Sequence, residues 1–137
     1  MSKTFDFKLI TPESIIFEGQ ANEVILPTQN GQIGVFANHE PLITLLKPGE
    51  IFIKNDTETI HLASMGGFVE INNNVVKVLS DSAIRSEEID AMAAEAAKAK
   101  AEQALEKAVD DAEVANASAA LEKSLLHLKV VRKKHHH

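Results

Sequence analysis

The sequence predicts an α+β protein in which an N-terminal antiparallel β-sandwich, or flattened barrel, precedes a C-terminal hairpin of two antiparallel helices. All 4 prolines, 6 glycines and 6 phenylalanines of the 137 residues lie at or before Phe68. Beyond Phe68 the chain is rich in Ala, Glu and Lys, and these residues favour helices. We therefore predict a sandwich domain over residues 1–84 and a helical hairpin over residues 85–134, and interpret residues 135–137 as an expression-tag remnant.

The sandwich is predicted to contain about nine short strands. Residues 5–9 alternate apolar and polar side chains, the pattern of a half-buried strand. Asn30-Gly31 and the run Asn72 to Asn74 are turn signals, because asparagine and glycine tolerate positive φ. Asn55-Asp56 predicts a two-residue hairpin. Strands spaced this closely indicate an antiparallel sandwich.

The second unit is predicted to begin its first helix at residues 86–88, Ser-Glu-Glu. A serine hydroxyl can cap the first backbone N–H groups, and carboxylates suit the positive end of the helix dipole. The first helix is expected to end near Lys107, with a break at residues 109–111 and a second helix ending near Val131.

Apolar residues at gaps of 3 or 4 predict one stripe along the second helix, at Val114, Ala117, Leu121, Leu125, Leu128 and Val131. The first helix offers alanines on the facing side, at Ala93, Ala97, Ala101, Ala104 and Ala108. Alanine buries far less apolar area than leucine, so this packing is thin. A packed and an opened hairpin could then differ by only a few kcal/mol, which is the condition for a switch.

Charge and composition exclude several classes of function. The net charge is -6, and residues 1–84 carry five Lys or Arg against ten Asp or Glu, so nucleic acid is not expected as the main partner. The chain has no cysteine, which excludes disulfides and thiolate chemistry. No signal peptide precedes Phe5, and no apolar run reaches the ~18 residues of a membrane span, so we expect the protein in the cytosol unless a partner holds it at a membrane.

The stretch from Gly31 to Gly49 is expected to form a rigid, shaped loop between strands, because it combines glycines, an isolated histidine and two prolines. Five motifs follow one another along the chain: Gly31-Gln32-Ile33-Gly34, His39-Glu40-Pro41-Leu42, Leu46-Lys47-Pro48-Gly49, Gly66-Gly67-Phe68-Val69-Glu70 and Ala83-Ile84-Arg85. With the Ala-rich tail they cover nearly the whole chain. In this order they resemble the epsilon subunit of the F-type ATP synthase, bacterial type, whose mitochondrial homologue is called delta.

The resemblance implies a non-catalytic rotor subunit in the central stalk of a proton-translocating ATP synthase. Such a subunit binds the gamma subunit and the c ring and lies peripherally on the cytoplasmic face of the bacterial inner membrane. The implied c-ring contact is Gly31, Gln32 and Ile33, and the implied stalk contact is His39, Pro41 and Leu42. Gln32 stands where many bacterial relatives carry an acidic residue.

The resemblance also implies that the hairpin can open, extend along gamma into the catalytic head and restrain ATP hydrolysis. Cations available to meet acidic loops of the head are Lys123, Lys129, Arg132 and Lys133. Some bacterial relatives bind ATP through a motif of Ile or Leu, Asp, two variable residues, Arg and Ala. Here it reads Ile89, Asp90, Ala93 and Ala94 at the defined positions, and Ala93 replaces the arginine. We therefore expect no cofactor.

Two other classes of function stay open. One is a generic sandwich-plus-hairpin adaptor that binds proteins without a fit to gamma or a c ring. The other is a small hydrolase using His39 and Glu40 as an acid–base pair. Neighbours in an extended segment point to opposite faces, and the sequence places no nucleophile beside them. His39 also has no cysteine or second histidine at the spacing of metal ligands.

Overall fold

The computed structural model describes residues 3–135, with side chains described as far as Val131. The chain divides into two compact units, one ending at Arg85 and the other beginning at Ser86. Strands occupy the first unit and helices the second. This architecture confirms the predicted α+β class.

Ten strands form the first unit: β1 (Phe5–Ile10), β2 (Ile15–Ala21), β3 (Glu23–Thr28), β4 (Gly31–Phe36), β5 (Leu42–Leu46), β6 (Gly49–Lys54), β7 (Thr59–Ser64), β8 (Gly67–Asn72), β9 (Val75–Ser80) and β10 (Ala83–Arg85). Their order in the sheet is β10-β7-β6-β3-β5-β8-β9-β1-β2, with β4 paired to β3. Neighbouring strands run antiparallel except β1 and β9, which run parallel. The sheet thus carries its first strand beside its ninth.

The core of the sandwich comes from alternate residues of the strands. Phe5, Phe7 and Leu9 are buried while Asp6 between them is exposed, as the alternation predicts. Other large side chains that are fully buried include Leu26, Ile51, Ile53, Leu62, Ile71, Val24, Val35, Val69 and Val76. Because one face of each strand fills this core, the other face is left for solvent or partners.

Two predicted turns have different outcomes. Asn73 and Asn74 take φ values of 52° and 62° between β8 and β9, which confirms the turn at that position. The predicted two-residue hairpin at Asn55-Asp56 is wrong, since β6 ends at Lys54 and β7 begins at Thr59. The Asn55 carboxamide oxygen accepts from two backbone N–H groups later in the loop, at 3.1 and 3.0 Å, and so organises a longer connection.

The second unit contains a 3₁₀ turn (Ser86–Glu88), α1 (Ala91–Lys107) and α2 (Asp111–His135). The predicted helix start at Ser86 is wrong. Asp90 is the N-cap, and its carboxylate accepts from the backbone N–H groups of Met92 and Ala93 at 3.0 and 3.2 Å. An aspartate so placed satisfies two N–H groups that have no partner inside the helix.

The helix ends are set by local signals. Lys107 is the last residue of α1, as predicted. At the start of α2, Glu113 donates its backbone N–H to the Asp110 carboxylate at 2.8 Å, while its own carboxylate accepts from the N–H of Val109 at 3.2 Å. This reciprocal pair resembles a capping box. The helix continues past the predicted end at Val131 to His135, because the basic residues there neither break a helix nor oppose its dipole.

α1 packs against α2, but the facing residues differ from the predicted stripes. Val114 and Leu125 are 41% and 47% exposed, and Ala93, Ala97 and Ala104 are exposed on α1. Among the buried or half-buried positions are Ala94, Ala101 and Leu105 on α1, Ala108 just after it, and Ala117, Leu121, Ser124, Leu128 and Val131 on α2. Two side chains four residues apart on a helix differ in direction by about 40°, so a stripe built mainly from four-residue steps turns away from the partner helix. A stripe that alternates three-residue and four-residue steps keeps facing the partner helix.

Candidate protein-binding surface

Five apolar side chains stand in register across one outward face of the sandwich. The row crosses β5, β8, β9, β1 and β2 at Leu45, Phe68, Leu79, Ile10 and Ile15, and we call these residues the apolar row. Their neighbours along each strand point inward to the core. Adjacent strands lie about 4.8 Å apart, so the row is about 19 Å long.

The apolar row is open to solvent. Leu45 is 43% exposed, Phe68 54%, and Leu79 and Ile15 are each 53% exposed, while Ile10 is half-buried. Contiguous exposed apolar side chains on the surface of a folded unit mark candidate sites of interaction. The row is therefore a candidate binding surface.

A groove with a volume of about 670 Å³ lies over Leu45, Phe68, Leu79 and Ile10. Pro12, Pro48, Met65, Lys47 and Asp81 are among the residues that complete its lining. The turn Gly66-Gly67 forms part of one wall and has φ values of 105° and 145°. A Cβ on Gly67 would lie 1.9 Å from the Leu79 carbonyl oxygen, so this wall requires glycine.

The residues predicted to face the c ring lie at the tip of the β3–β4 hairpin. Gly31 and Gln32 are exposed, whereas Ile33 is half-buried and packs against the core. The Thr28 hydroxyl donates to the Gly31 carbonyl at 2.6 Å, and Gly31 has a φ of 109°. The tip is thus a fixed turn that presents Gln32, while Ile33 anchors it.

The residues predicted to contact the stalk lie on the segment that leads into β5 and at the first residue of that strand. Pro41 is exposed, Leu42 is half-buried against the core, and His39 is half-buried. The His39 Nδ1 donates to the backbone carbonyl of Glu40 at 2.7 Å. Because the ring engages a carbonyl and not the Glu40 carboxylate, the geometry supplies no acid–base pair. Within residues 3–131 no cluster of three or more His, Cys, Asp or Glu could hold a metal ion.

The structure separates the two predicted contact sets. Leu46, at one end of β5, pairs with Thr28 beside the β3–β4 tip. Leu42, at the other end, pairs with Ile71 next to the Asn73-Asn74 turn. The strand between them spans about 14 Å. The two sets therefore occupy opposite ends of the sandwich, with the apolar row nearer the tip.

The degenerate nucleotide motif forms the start of α1. Asp90 uses its carboxylate as the helix cap, and Ile89 is half-buried just before it. Ala93, which replaces the arginine of the motif, is exposed, and Ala94 is buried. The residues that remain from the motif thus have a structural role in starting the helix.

The predicted inhibitory cations lie on α2. Lys123 and Lys129 are exposed, while the side chains of Arg132 and Lys133 lie outside the described residues. One turn beyond Lys123, burial lowers the pKa of His127 below its ordinary value of 6.5, and the Lys123 charge lowers it further. His127 is accordingly neutral where the hairpin is folded near neutral pH.

The apolar row is the main feature that sequence reasoning missed, although one signal for it was present. Strand β5, Leu-Ile-Thr-Leu-Leu, carries apolar residues on both faces, whereas a half-buried strand alternates. Thr44 and Leu46 point inward, so Leu45 must point outward. A strand apolar on both sides in an antiparallel sheet indicates a second covered face.

Comparison with known families decides where the chain belongs. Residues 4–86 match the model described as ATP synthase, Delta/Epsilon chain, beta-sandwich domain. Residues 87–132 match the model described as ATP synthase, Delta/Epsilon chain, long alpha-helix domain. The chain belongs to the ATP synthase delta/epsilon family. This confirms the resemblance carried by the five motifs.

Relatives within the delta/epsilon family are similar over nearly their full length. The ATP synthase epsilon chain of Laribacter hongkongensis is 39% identical over 130 residues, with 93% of each chain covered. That of Chromobacterium violaceum is 39% identical over 126 residues, with 90% of each covered. That of Desulforamulus reducens is 35% identical over 129 residues, covering 94% of this chain and 98% of the relative.

Solved structures share the delta/epsilon fold. A chain of the Euglena gracilis mitochondrial ATP synthase, solved as OSCP/F1/c-ring, has a TM-score of 0.77 at 23% identity and covers 97% of this chain and 82% of its own. A chain of the Tetrahymena thermophila mitochondrial ATP synthase central stalk and c-ring has a TM-score of 0.64 at 14% identity and covers 95% and 98%. At these identities the likeness concerns the fold.

No helix within residues 3–135 is long and apolar enough to cross a bilayer.

Proposed function

We propose that this chain is a non-catalytic rotor subunit of a proton-translocating ATP synthase, in which its sandwich joins the gamma subunit to the c ring. The observation that carries the proposal is the apolar row with the groove above it, an exposed surface suited to a protein partner. Family membership selects ATP synthase as the assembly. Bound in this way, the chain would lie peripherally on the cytoplasmic face of a bacterial inner membrane.

The contacts divide between the two ends of the sandwich. The gamma subunit covers the apolar row and reaches the stalk residues His39, Pro41 and Leu42. The c ring meets the turn at Gly31, Gln32 and Ile33. A standard interface buries roughly 800 Å² of each partner, an area wide enough to include the length of β5, about 14 Å, along which the apolar row and the stalk residues lie.

Binding of purified gamma subunit tests the role of the apolar row, with Phe68→Ser as the variant and Phe36→Ser as the matched control. The two phenylalanines are 54% and 57% exposed, but Phe36 lies on β4, outside the row. We expect Phe68→Ser to weaken binding by about tenfold or more, since aromatic anchors dominate interfaces. Phe36→Ser should bind as the wild type does. Equal losses for both variants would remove the row from the proposed interface.

The hairpin is proposed to restrain ATP hydrolysis by opening into the catalytic head. Support comes from the buried alanines Ala94 and Ala101 on α1 and Ala117 on α2, which give up little apolar area on opening, while the larger buried side chains Leu128 and Val131 lie toward the end of α2. The exposed cations Lys123 and Lys129, with Arg132 and Lys133 beyond them, would meet acidic groups of the head.

ATP hydrolysis by the assembled enzyme tests the hairpin. A chain ending at Arg85 should raise hydrolysis and leave assembly intact. In the full chain, Lys123→Glu with Lys129→Glu should do the same. The matched control, Lys100→Glu with Lys107→Glu, changes the charge of α1 equally and should leave hydrolysis at the wild-type level. Unchanged hydrolysis with the shortened chain would leave the hairpin without an inhibitory role.

A further inference from the structure

A second row of side chains runs beside the apolar row on the same outward face. It crosses the same five strands at Ile43, Glu70, Lys77, Lys8 and Glu18, and we call these residues the charged row. Each lies two residues from a member of the apolar row along its strand, except on β2, where Glu18 lies three residues from Ile15 across an irregularity in the β1–β2 pairing. Two residues of a strand span about 7 Å, so one partner element can touch both rows.

The charges in this row are unevenly compensated. The Lys8 Nζ lies 3.2 Å from the Glu18 carboxylate. Lys77 stands directly opposite Glu70 in the β8–β9 pair, yet within the described side chains it has no ion pair within 4 Å. Lys77 and Lys8 are themselves direct partners across the parallel β9–β1 pair. Like charges placed directly across a strand pair repel each other.

We propose that Lys77 and Lys8 together receive a carboxylate of the partner that fills the groove, an Asp or Glu side chain set beside the apolar anchors of that partner. The inference rests on the proposed function, in which the partner is the gamma subunit. An anion placed between the two ammonium groups relieves their repulsion and gives Lys77 a counter-ion. The two lysines stand side by side at the middle of the charged row, between Glu70 and Glu18, in a sandwich that is acidic overall.

The position of the pair makes it a determinant of orientation. Ile43, 74% exposed, lies at the β5 end of the charged row, two residues from Leu45, which lines the groove. A partner that covers both rows would exclude water from around the lysines. Charge pairs beside an apolar contact fix register and raise the rate of association, because they act at a distance and reject partners of like charge.

The test measures the dissociation constant for purified gamma subunit with the full chain, at low and at high ionic strength. Lys77→Glu should weaken binding at low salt on the order of tenfold, and the loss should shrink as salt screens the charges. Lys77→Gln should give a smaller loss, and Lys8→Glu a loss like that of Lys77→Glu. Lys3→Glu, the same change of charge at an exposed residue before β1, is the control and should bind as the wild type does.

The outcomes separate this inference from the proposed function. If Phe68→Ser weakens binding while Lys77→Glu binds as the wild type does, the groove keeps its role and the carboxylate site is overturned. Equal losses for Lys77→Glu and Lys3→Glu would also overturn it, because they would reflect net charge alone. If the wild-type chain does not bind gamma, the proposed function fails and this inference fails with it. Circular dichroism of each variant shows that it is folded, and Lys77→Gln replaces Lys77→Glu if the latter is not.

Discussion

The Arg85 guanidinium donates from Nη2 to the backbone carbonyl of Ile16 at 3.2 Å, across 69 residues of sequence. Arg85 belongs to β10 and Ile16 to β2, the two strands at opposite ends of the sheet order. The bond therefore draws together the ends of the sheet and closes the sandwich. The motif Ala83-Ile84-Arg85 therefore has a structural role, since its arginine joins the two ends of the sheet.

Arg85→Ala should lower the free energy of unfolding of the sandwich by about 1.5 to 3 kcal/mol, since hydrogen bonds from charged donors contribute about that much. Urea denaturation followed by circular dichroism measures the change. Arg85→Lys keeps the charge but loses the planar donor group, and should recover only part of the stability. An unchanged denaturation midpoint in Arg85→Ala would contradict the closing role.

Two glycines with positive φ should respond differently to alanine. Gly31 has a φ of 109°, and a Cβ added there would meet no other atom within 4 Å, whereas a Cβ on Gly67 would meet the Leu79 carbonyl oxygen at 1.9 Å. Backbone strain costs about 1 to 3 kcal/mol at either site, and Gly67→Ala adds the clash. We expect Gly67→Ala to be clearly less stable than Gly31→Ala in thermal denaturation. Similar melting temperatures for the two variants would contradict this expectation, because they would show that β8 and β9 can move apart at Gly67 at little cost in stability.

The sandwich should fold without the hairpin. All side chains of its main core cluster lie between Phe5 and Val78, and a chain ending at Arg85 keeps the bond to Ile16. Circular dichroism should show a β spectrum and a cooperative transition. A chain ending at Ile84 loses the guanidinium and should melt at a lower temperature. A disordered spectrum for the longer of these two chains would show that the units do not fold separately.

Stability should depend on pH through His127. Burial and then Lys123 hold its pKa below 6.5, so the folded state binds this proton less readily than the unfolded state. Stability is therefore greatest above pH 6.5 and is lost as the pH falls from there toward the lowered pKa of the folded state. His127→Gln should melt with less dependence on pH over this window. If the stability of the variant and of the wild type changed identically with pH, His127 would be excluded as the source of the pH dependence.

ATP should bind the isolated chain weakly or not at all. Asp90 is engaged as the α1 cap, and the position of the motif arginine is Ala93. Because Ala93 is exposed, Ala93→Arg fits without disturbing the helices, and it should strengthen any binding by gripping phosphate oxygens. Isothermal titration with ATP and magnesium measures both chains. A dissociation constant in the low micromolar range for the wild type would contradict the prediction.

Local chemistry in the sequence determined the fold class and many boundaries. Alternation over residues 5–9 specified a strand because side chains of a strand point to opposite faces in turn. Asn73 and Asn74 specified a turn because asparagine tolerates positive φ, and Lys107 marked the end of α1. Where two local signals competed, the prediction failed: Asp90 and not Ser86 caps the helix, since both residue types are good caps and only the path of the chain selects one.

Tertiary structure decided the surfaces. The apolar row joins residues from Ile10 to Leu79 and depends on the register of four strand pairs, including the parallel pairing of β1 with β9, which no short stretch of sequence specifies. A shift of one residue in any pair would turn its side chains to the other face. In the same way, the residues that meet between α1 and α2 depend on how each helix is rotated about its own axis. Periodicity within one segment shows that the segment has an apolar face. Which residues lie beside that face in space is fixed only when distant segments pair.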